Sequence, residues 1–360
     1  MPSPAATPQI RRARPQAPAS GLRQWFATPM SALATLLVLG CLLVAVPPLL
    51  DWLWFSARFS GEGSQACQNI SGACWAFIGD KYRLILFGLY PYDEQWRPLL
   101  ASVLLVGVVL ASAVRRFWKP WLALAWAVVL GLTAILMWGG VLGLPLVENR
   151  LWGGLPLTLI LATFGIALAF PLGVALALGR RSELPVVRAL CIVYIELIRG
   201  VPLISLLFMA SVMFPLFLPA GWEVDKLLRA QLAIVMFVAA YIAETVRGGL
   251  QSVPKGQYAS SAALGLGYWR QMRFVVLPQA LGAVIGPLTG IFISLFKDTS
   301  LVVVIGLFDL TQAAKAAVAD AQWQSYSLEA YVFIAAIYFL FCYGMSRYSR
   351  RLEGRMAQPA

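Results

Sequence analysis

Lys297 and Asp298 stand side by side inside an otherwise apolar run, 291–296 before them and 301–305 after, and Thr299 and Ser300 follow. Adjacent residues on a helix point about 100° apart, so this lysine and aspartate cannot pair in good geometry; each must look for a cavity or another helix. Charges at membrane depth are costly and mark pathways, relays or counter-ions. A second set lies at 194–202, where Glu196 and Arg199 are three apart before Gly200 and Pro202. That spacing puts both on one helix face, where they are expected to neutralise each other. The glycine and proline then break the helix and free backbone groups, which is tolerated only beside protein or a water-filled cavity. A plain interfacial ion pair is the bland reading of this set, and a pathway-lining kink is the functional one.

The third set is a polar stretch. It starts at Glu244 and Arg247, runs through Pro254, Gly256 and Gln257 to Ala259, Ser260, Ser261, and ends near Leu277 and Pro278. Small residues at 259–263 let another protein approach a helix closely, and Leu264 and Leu266 can anchor it. Gly265 offers a stop or sharp turn, and Pro278 a restart into the next span. A short surface helix between two hinges suits docking to a soluble partner.

Long apolar runs must position these groups. They cover 31–55, 99–114, 121–143, 155–178, 190–218 (broken at Gly200 and Pro202), 232–249, 281–307 and 330–343, each near the length a bilayer-crossing helix needs. The chain has 360 residues, 60% hydrophobic and 12% charged, with a net charge of +12. A mean hydropathy of +0.76 excludes a single water-soluble core. With no histidine, histidine-based triads, dyads and ordinary zinc or haem sites are excluded, and no phosphate-binding G-x-x-x-x-G-K-[ST] string occurs.

Threading eight helices with the N-terminus inside places 19 basic residues in the cytoplasm and 8 outside, which predicts both termini inside. The excess of basic residues is thereby explained without nucleic acid. Cys67 and Cys74 then lie outside, where they either bridge or remain two small apolar side chains.

The predicted class is an all-α polytopic membrane protein. Residues 1–30 read as a disordered cytoplasmic tail and 31–145 as a three-helix membrane segment with an external loop, 56–98. The functional core occupies 150–350 as five helices with a cytoplasmic loop 250–278, and 351–360 form a cytoplasmic tail.

Five ordered strings carry a resemblance: Ile195 to Leu203, Ala243 to Gly249, Val253 to Gln257, Leu277 to Ala280 and Lys297 to Leu301. Together with the spacing from Ala259 through Gly265 to Leu277-Pro278, they resemble the EAA loop and flanks of polar amino-acid ABC importer permeases. The three-helix N-terminal part is similar to one subunit of the bacterial general L-amino-acid permeases. The family's usual acidic residue is Ala259 here, so no salt bridge from that position to an ATPase is carried over.

The resemblance implies a non-enzymatic permease subunit in the bacterial inner membrane. It binds no cofactor, and ATP is used by a separate cytoplasmic ABC ATPase dimer. A homologous second permease and a periplasmic amino-acid-binding protein complete the implied assembly. ATPase coupling is expected at Gly256, Gln257, Ala259, Ser260, Ser261, Gly265, Leu277 and Pro278. The substrate pathway is expected at Glu196, Arg199, Pro202, Glu244, Lys297, Asp298, Thr299 and Ser300. Mixed-sign groups with the Thr299 hydroxyl suit a zwitterionic ligand. An ion-coupled secondary transporter is the competing class; it would show internal repeats, and none relates 31–145 to 150–350.

Overall fold

The computed structural model describes residues 25–356 apart from 27, 62 and 220, so most of the expected N-terminal tail lies outside the described residues. Two compact units divide the chain, one holding residues up to 61 with Ala66–Trp75, the other 62–65 with everything from Ala76 on.

The first unit is a single long apolar helix and the loop that follows it. Helix α1, Pro29–Leu50, starts on a Thr28–Ser31 capping box. It continues through a π turn, Asp51–Phe55. Its 27 helical residues buy no burial inside the protein, so every face is available to lipid. The loop folds back on the helix end: the Trp75 indole donates to the Leu53 carbonyl, and Arg58 and Ala73 pair through their backbones. Cys67 and Cys74 form a disulfide, Cα atoms 5.8 Å apart, which settles the alternatives left open by the sequence.

The second unit begins with α2, Trp75–Phe87, an element absent from the sequence expectation. Its 13 residues span roughly 20 Å, too short to cross a bilayer. Then come α3, Trp96–Ala113, α4, Trp121–Trp138, and α5, Gly154–Gly179. The next span is broken: α6, Pro185–Arg199, and a segment opening with α7, Leu203–Phe208, meet at 103°. The chain continues as α8, Lys226–Ser252, and α9, Lys255–Ala263. A helical run follows from α10, Tyr268–Gln271, through a π turn to α11, Leu277–Ala283. Last are α12, Ile285–Asp298, α13, Leu310–Val318, and α14, Ser327–Met356. Among the described residues, seven helices are long and apolar enough to cross a membrane, eight with the broken pair taken as one span, in agreement with the sequence expectation.

Helix α5 packs along α8, the most extensive helix pair in the chain. Glycine allows the approach: a Cβ on Gly173 would sit 2.6 Å from Ile242 Cγ2, and one on Gly165 3.0 Å from Ile234 Cγ2. In a bilayer, where burial from water no longer drives helices together, such close van der Waals contact supplies the association.

A glycine crossing closes the far end of the unit. Gly153 and Gly154 form parallel bridges with Phe308 and Asp309. Added side-chain carbons there would lie 2.7 Å from the Phe308 carbonyl oxygen and 2.2 Å from the Leu86 carbonyl oxygen, and one on Gly88 2.6 Å from Gly153 Cα. Nearby, the Lys81 ammonium sits 2.8 Å from Asp320, and the Trp323 indole donates to Asp80 at 3.0 Å. The Asp320 hydrogen bond holds Lys81 above its ordinary value, while Lys81 and then the Gln322 amide hold the Asp320 carboxyl below its own.

Arg97 counts among the eight outside basic residues in the sequence reading, yet the fold buries it completely. It donates to the Leu136 carbonyl at 2.7 Å and the Pro145 carbonyl at 2.9 Å, stapling the start of α3 to the end of α4. An arginine fork meeting last-turn carbonyls satisfies orphan acceptors and the negative end of the helix dipole together.

Candidate functional site

Glu244, on α8, is the hub of the charge cluster. Arg247, one turn along, chelates it, with Nε 2.9 Å from Oε2 and Nη2 on Oε1. Arg180, just past the end of α5, reaches the same carboxylate at 3.3 Å and Arg199, ending α6, comes within 3.8 Å. Arg180 also binds Glu196 at 2.9 Å. Three arginines and two glutamates from three helices thus form one network with a surplus positive charge.

The expected Glu196–Arg199 pair does not form. Both residues turn to partners outside their own helix, Glu196 to Arg180 past the end of α5 and Arg199 to Glu244 on α8. Arg180 was legible only as a basic residue near a span end. Pro202 caps α7 with extended backbone (φ −61°, ψ 144°), so the bend predicted from Gly200 and Pro202 falls where expected.

The Lys297 to Ser300 string lies elsewhere on the bundle. Helix α12 ends at Asp298, and a 3-10 turn, Thr299–Ile305, carries the chain to a left-handed Gly306. Lys297 and Asp298 make no ion pair with each other, as their spacing predicts. Asp298 joins Tyr241, Gly290 and Ser294 in lining a cavity of about 400 Å³ between α8 and α12. The two hydroxyls are otherwise engaged: Thr299, fully buried, donates to the Phe296 carbonyl, and Ser300 donates to the Lys297 carbonyl. Their side chains serve the helix end, which competes with the ligand role expected for Thr299. Tyr241 connects cavity and cluster, for the Arg199 guanidinium stands over its ring at 5.6 Å.

The 254–283 stretch folds as two helices around a glycine turn. Gly265 is left-handed, at φ +75°, with open space where a side chain would go. Conformation, not close approach, is therefore what requires glycine there. Leu264 beside it is 81% exposed. Ser261 is buried and accepts from the Gln271 amide at 2.6 Å, while Tyr258 offers its carbonyl to the same amide at 2.7 Å. Gly256, Ala259 and Ser260 face out, and Gln257 meets Gln279 at 3.3 Å. Pro278 does not restart the chain. It lies inside the α10–α11 run, where the π turn Met272–Val276 absorbs the hydrogen bond that a proline cannot donate. The break before the next span is at Val284, φ −115° and ψ 17°. Leu277, one residue before Pro278 at the start of α11, is half-buried.

Sequence reasoning missed a further contact at this end. Arg181 donates to the Tyr258 hydroxyl at 3.0 Å and to the Leu250 carbonyl at 3.3 Å, and Tyr258 donates to that carbonyl at 3.1 Å.

Among the described residues, seven or eight helices long and apolar enough to cross a membrane, a sharply broken span with charges at its bend, and an exposed short helix on a glycine turn define a polytopic transport protein. The chain belongs to the family described as binding-protein-dependent transport system inner membrane component, which it matches over residues 169–358. Among its relatives is the inner membrane amino-acid ABC transporter permease protein YhdY of Escherichia coli K12, 50% identical over 331 residues and 89% of each chain. A glutamate/glutamine/aspartate/asparagine transport system permease protein, BztC of Rhodobacter capsulatus, is 37% identical over 79% of each chain. The glutamine transport system permease protein GlnP of E. coli K12 is 33% identical over 219 residues, 96% of its own length and 58% of this chain.

Proposed function

We propose that the protein is one of two permease subunits of an ATP-driven amino-acid importer in a bacterial inner membrane. Hydrolysis takes place on a separate ABC ATPase, and an external binding protein delivers the substrate. The observation that carries this reading is the exposed element 254–283, set on the left-handed Gly265 at the end of the bundle rich in arginine. Its shape is that of a lever offered to a soluble partner, and Leu264 can contribute about 1.5–3 kcal/mol when buried in that partner's groove. Family membership and the amino-acid permease relatives support the same conclusion and leave the ion-coupled alternative without support.

In this reading the α8–α12 cavity, with Asp298 on its wall, lies on the substrate route. Its volume of about 400 Å³ falls at the small end of the range for ligand sites, which suits one amino acid. Lys297 is exposed in the single chain and faces the second permease. The N-terminal 150 residues are an addition to the core that the shorter glutamine permease covers. This chain itself holds no cofactor. The test is reconstitution of the chain with its genomic-neighbour permease, ATPase and binding protein in liposomes. Uptake of amino acids that requires ATP and all subunits is expected; uptake driven by an ion gradient without ATP would overturn the proposal.

A further inference from the structure

The end of α5 touches every element that would have to move together. Arg180 and Arg181 are adjacent, so on a helix end their side chains diverge by about 100°. Arg180 goes one way, to Glu196 on α6 at 2.9 Å and Glu244 on α8 at 3.3 Å. Arg181 goes the other way, to Tyr258 on α9 at 3.0 Å and the Leu250 carbonyl in the last turns of α8 at 3.3 Å. Its guanidinium also stands 5.5 Å from the Tyr258 ring centroid. We propose that the Arg180-Arg181 pair is the mechanical link that passes movement of the exposed α9 to the Glu196–Arg199–Glu244 cluster at the bend of the broken span. The proposal rests on the importer reading above.

Two further observations support it. First, the side-chain hydrogen bonds of α9 divide by direction: Gln271 holds Tyr258 and Ser261 to α10 and Gln279 meets Gln257 from α11, while toward α5 and the end of α8 the contacts are those of Tyr258 with Arg181 and the Leu250 carbonyl. Second, the end of α5 lies close against α6. A Cβ on Gly179 would lie 2.5 Å from Cys191 Sγ, so the residue before the arginine pair packs its bare backbone against a side chain of the helix that carries Glu196 and Arg199. A displacement of Tyr258 therefore pulls Arg181, and the adjacent Arg180 loads both glutamates. Each arginine makes both of its bonds through one nitrogen, Nη1, so its two partners share a single charge-assisted donor and a shift of one is felt by the other.

The test uses the complete reconstituted complex and reads substrate uptake and ATP turnover side by side. Tyr258→Phe keeps the ring and removes the hydroxyl; Arg181→Gln removes the guanidinium and its charge. For each, the ratio of uptake to ATP turnover should fall about fivefold or more, the size of a typical coupling between sites. The double variant should be no worse than Arg181→Gln alone, because both changes cut one link. Uptake and turnover falling in equal proportion, or neither falling, would overturn the link. So would loss of assembly in Arg181→Gln alongside an unchanged ratio in Tyr258→Phe. A wild-type complex without ATP-driven uptake would instead refute the importer reading, and the link with it.

Discussion

Replacing Glu244 by glutamine should damage the protein far more than the same change at Glu196. Glu244 takes two hydrogen bonds from Arg247 and one from Arg180, with Arg199 at 3.8 Å, and its side chain is 24% exposed. Glu196 has one partner, Arg180, and is 56% exposed. Hydrogen bonds to charged groups contribute about 1.5–3 kcal/mol each when sheltered. Exposed pairs contribute about 0–1 kcal/mol. A glutamine at 244 keeps one acceptor oxygen but turns an N–H₂ group toward a guanidinium and leaves three arginines to repel one another. Discounting for the residual exposure, Glu244→Gln should cost about 2–4 kcal/mol and Glu196→Gln under about 1 kcal/mol. The assay is thermal unfolding of the detergent-purified chain followed by size exclusion. Equal destabilisation by the two variants would refute the hub and restore the simple i, i+3 pair.

Gly265→Val should weaken co-purification of the ATPase about tenfold while Gly265→Asn stays near wild type, since the left-handed backbone costs a branched residue roughly 1–2 kcal/mol; pull-down from membranes decides it. The Lys81–Asp320 latch should be intact from about pH 5 to about pH 10, between the ordinary carboxylate and ammonium ranges. The depressed Asp320 value means its contribution is lost as pH falls through that lowered value, and the raised Lys81 value means loss only at the alkaline end. Hydrogen exchange of residues 319–326, corrected for intrinsic rate, should be flat across this window and faster below about pH 4. In whole cells, an impermeant maleimide should label a cysteine placed at position 60 but not one at 356, and should label Cys67 and Cys74 only after reduction. The reverse pattern would invert the topology.

The spans were legible because lipid demands long unbroken apolar runs, and the bend was legible because Gly200 and Pro202 interrupt one. Helix α2 escaped notice since it sits in a polar stretch and mixes Asp80, Lys81 and Arg83 with its apolar residues. The pairing of the charges was not legible at all. Glu196 and Arg199 are neighbours in sequence, yet their partners come from 16 residues away in one case and from another helix in the other. Side-chain spacing along one helix says which residues can meet; it does not say which better partner a second helix will deliver. Thr299 and Ser300 illustrate the same limit, for a hydroxyl at a helix end is claimed by the backbone before any ligand arrives.

The glycine crossing at Gly88, Gly153 and Gly154 limits what the chain can tolerate by mutation. GlnP matches 58% of this chain over 96% of its own length. Here the first residues of α5 lie against Leu86 and Gly88 so closely that no side-chain carbon fits at any of the three positions. Once two backbones have settled into such contact, each can accept only glycine, and removing one strand would leave the other's bare peptide groups uncovered. A change at any one of the three positions must therefore be answered by movement of the facing backbone, which ties the end of α2 to the mouth of the core as a single mutational unit.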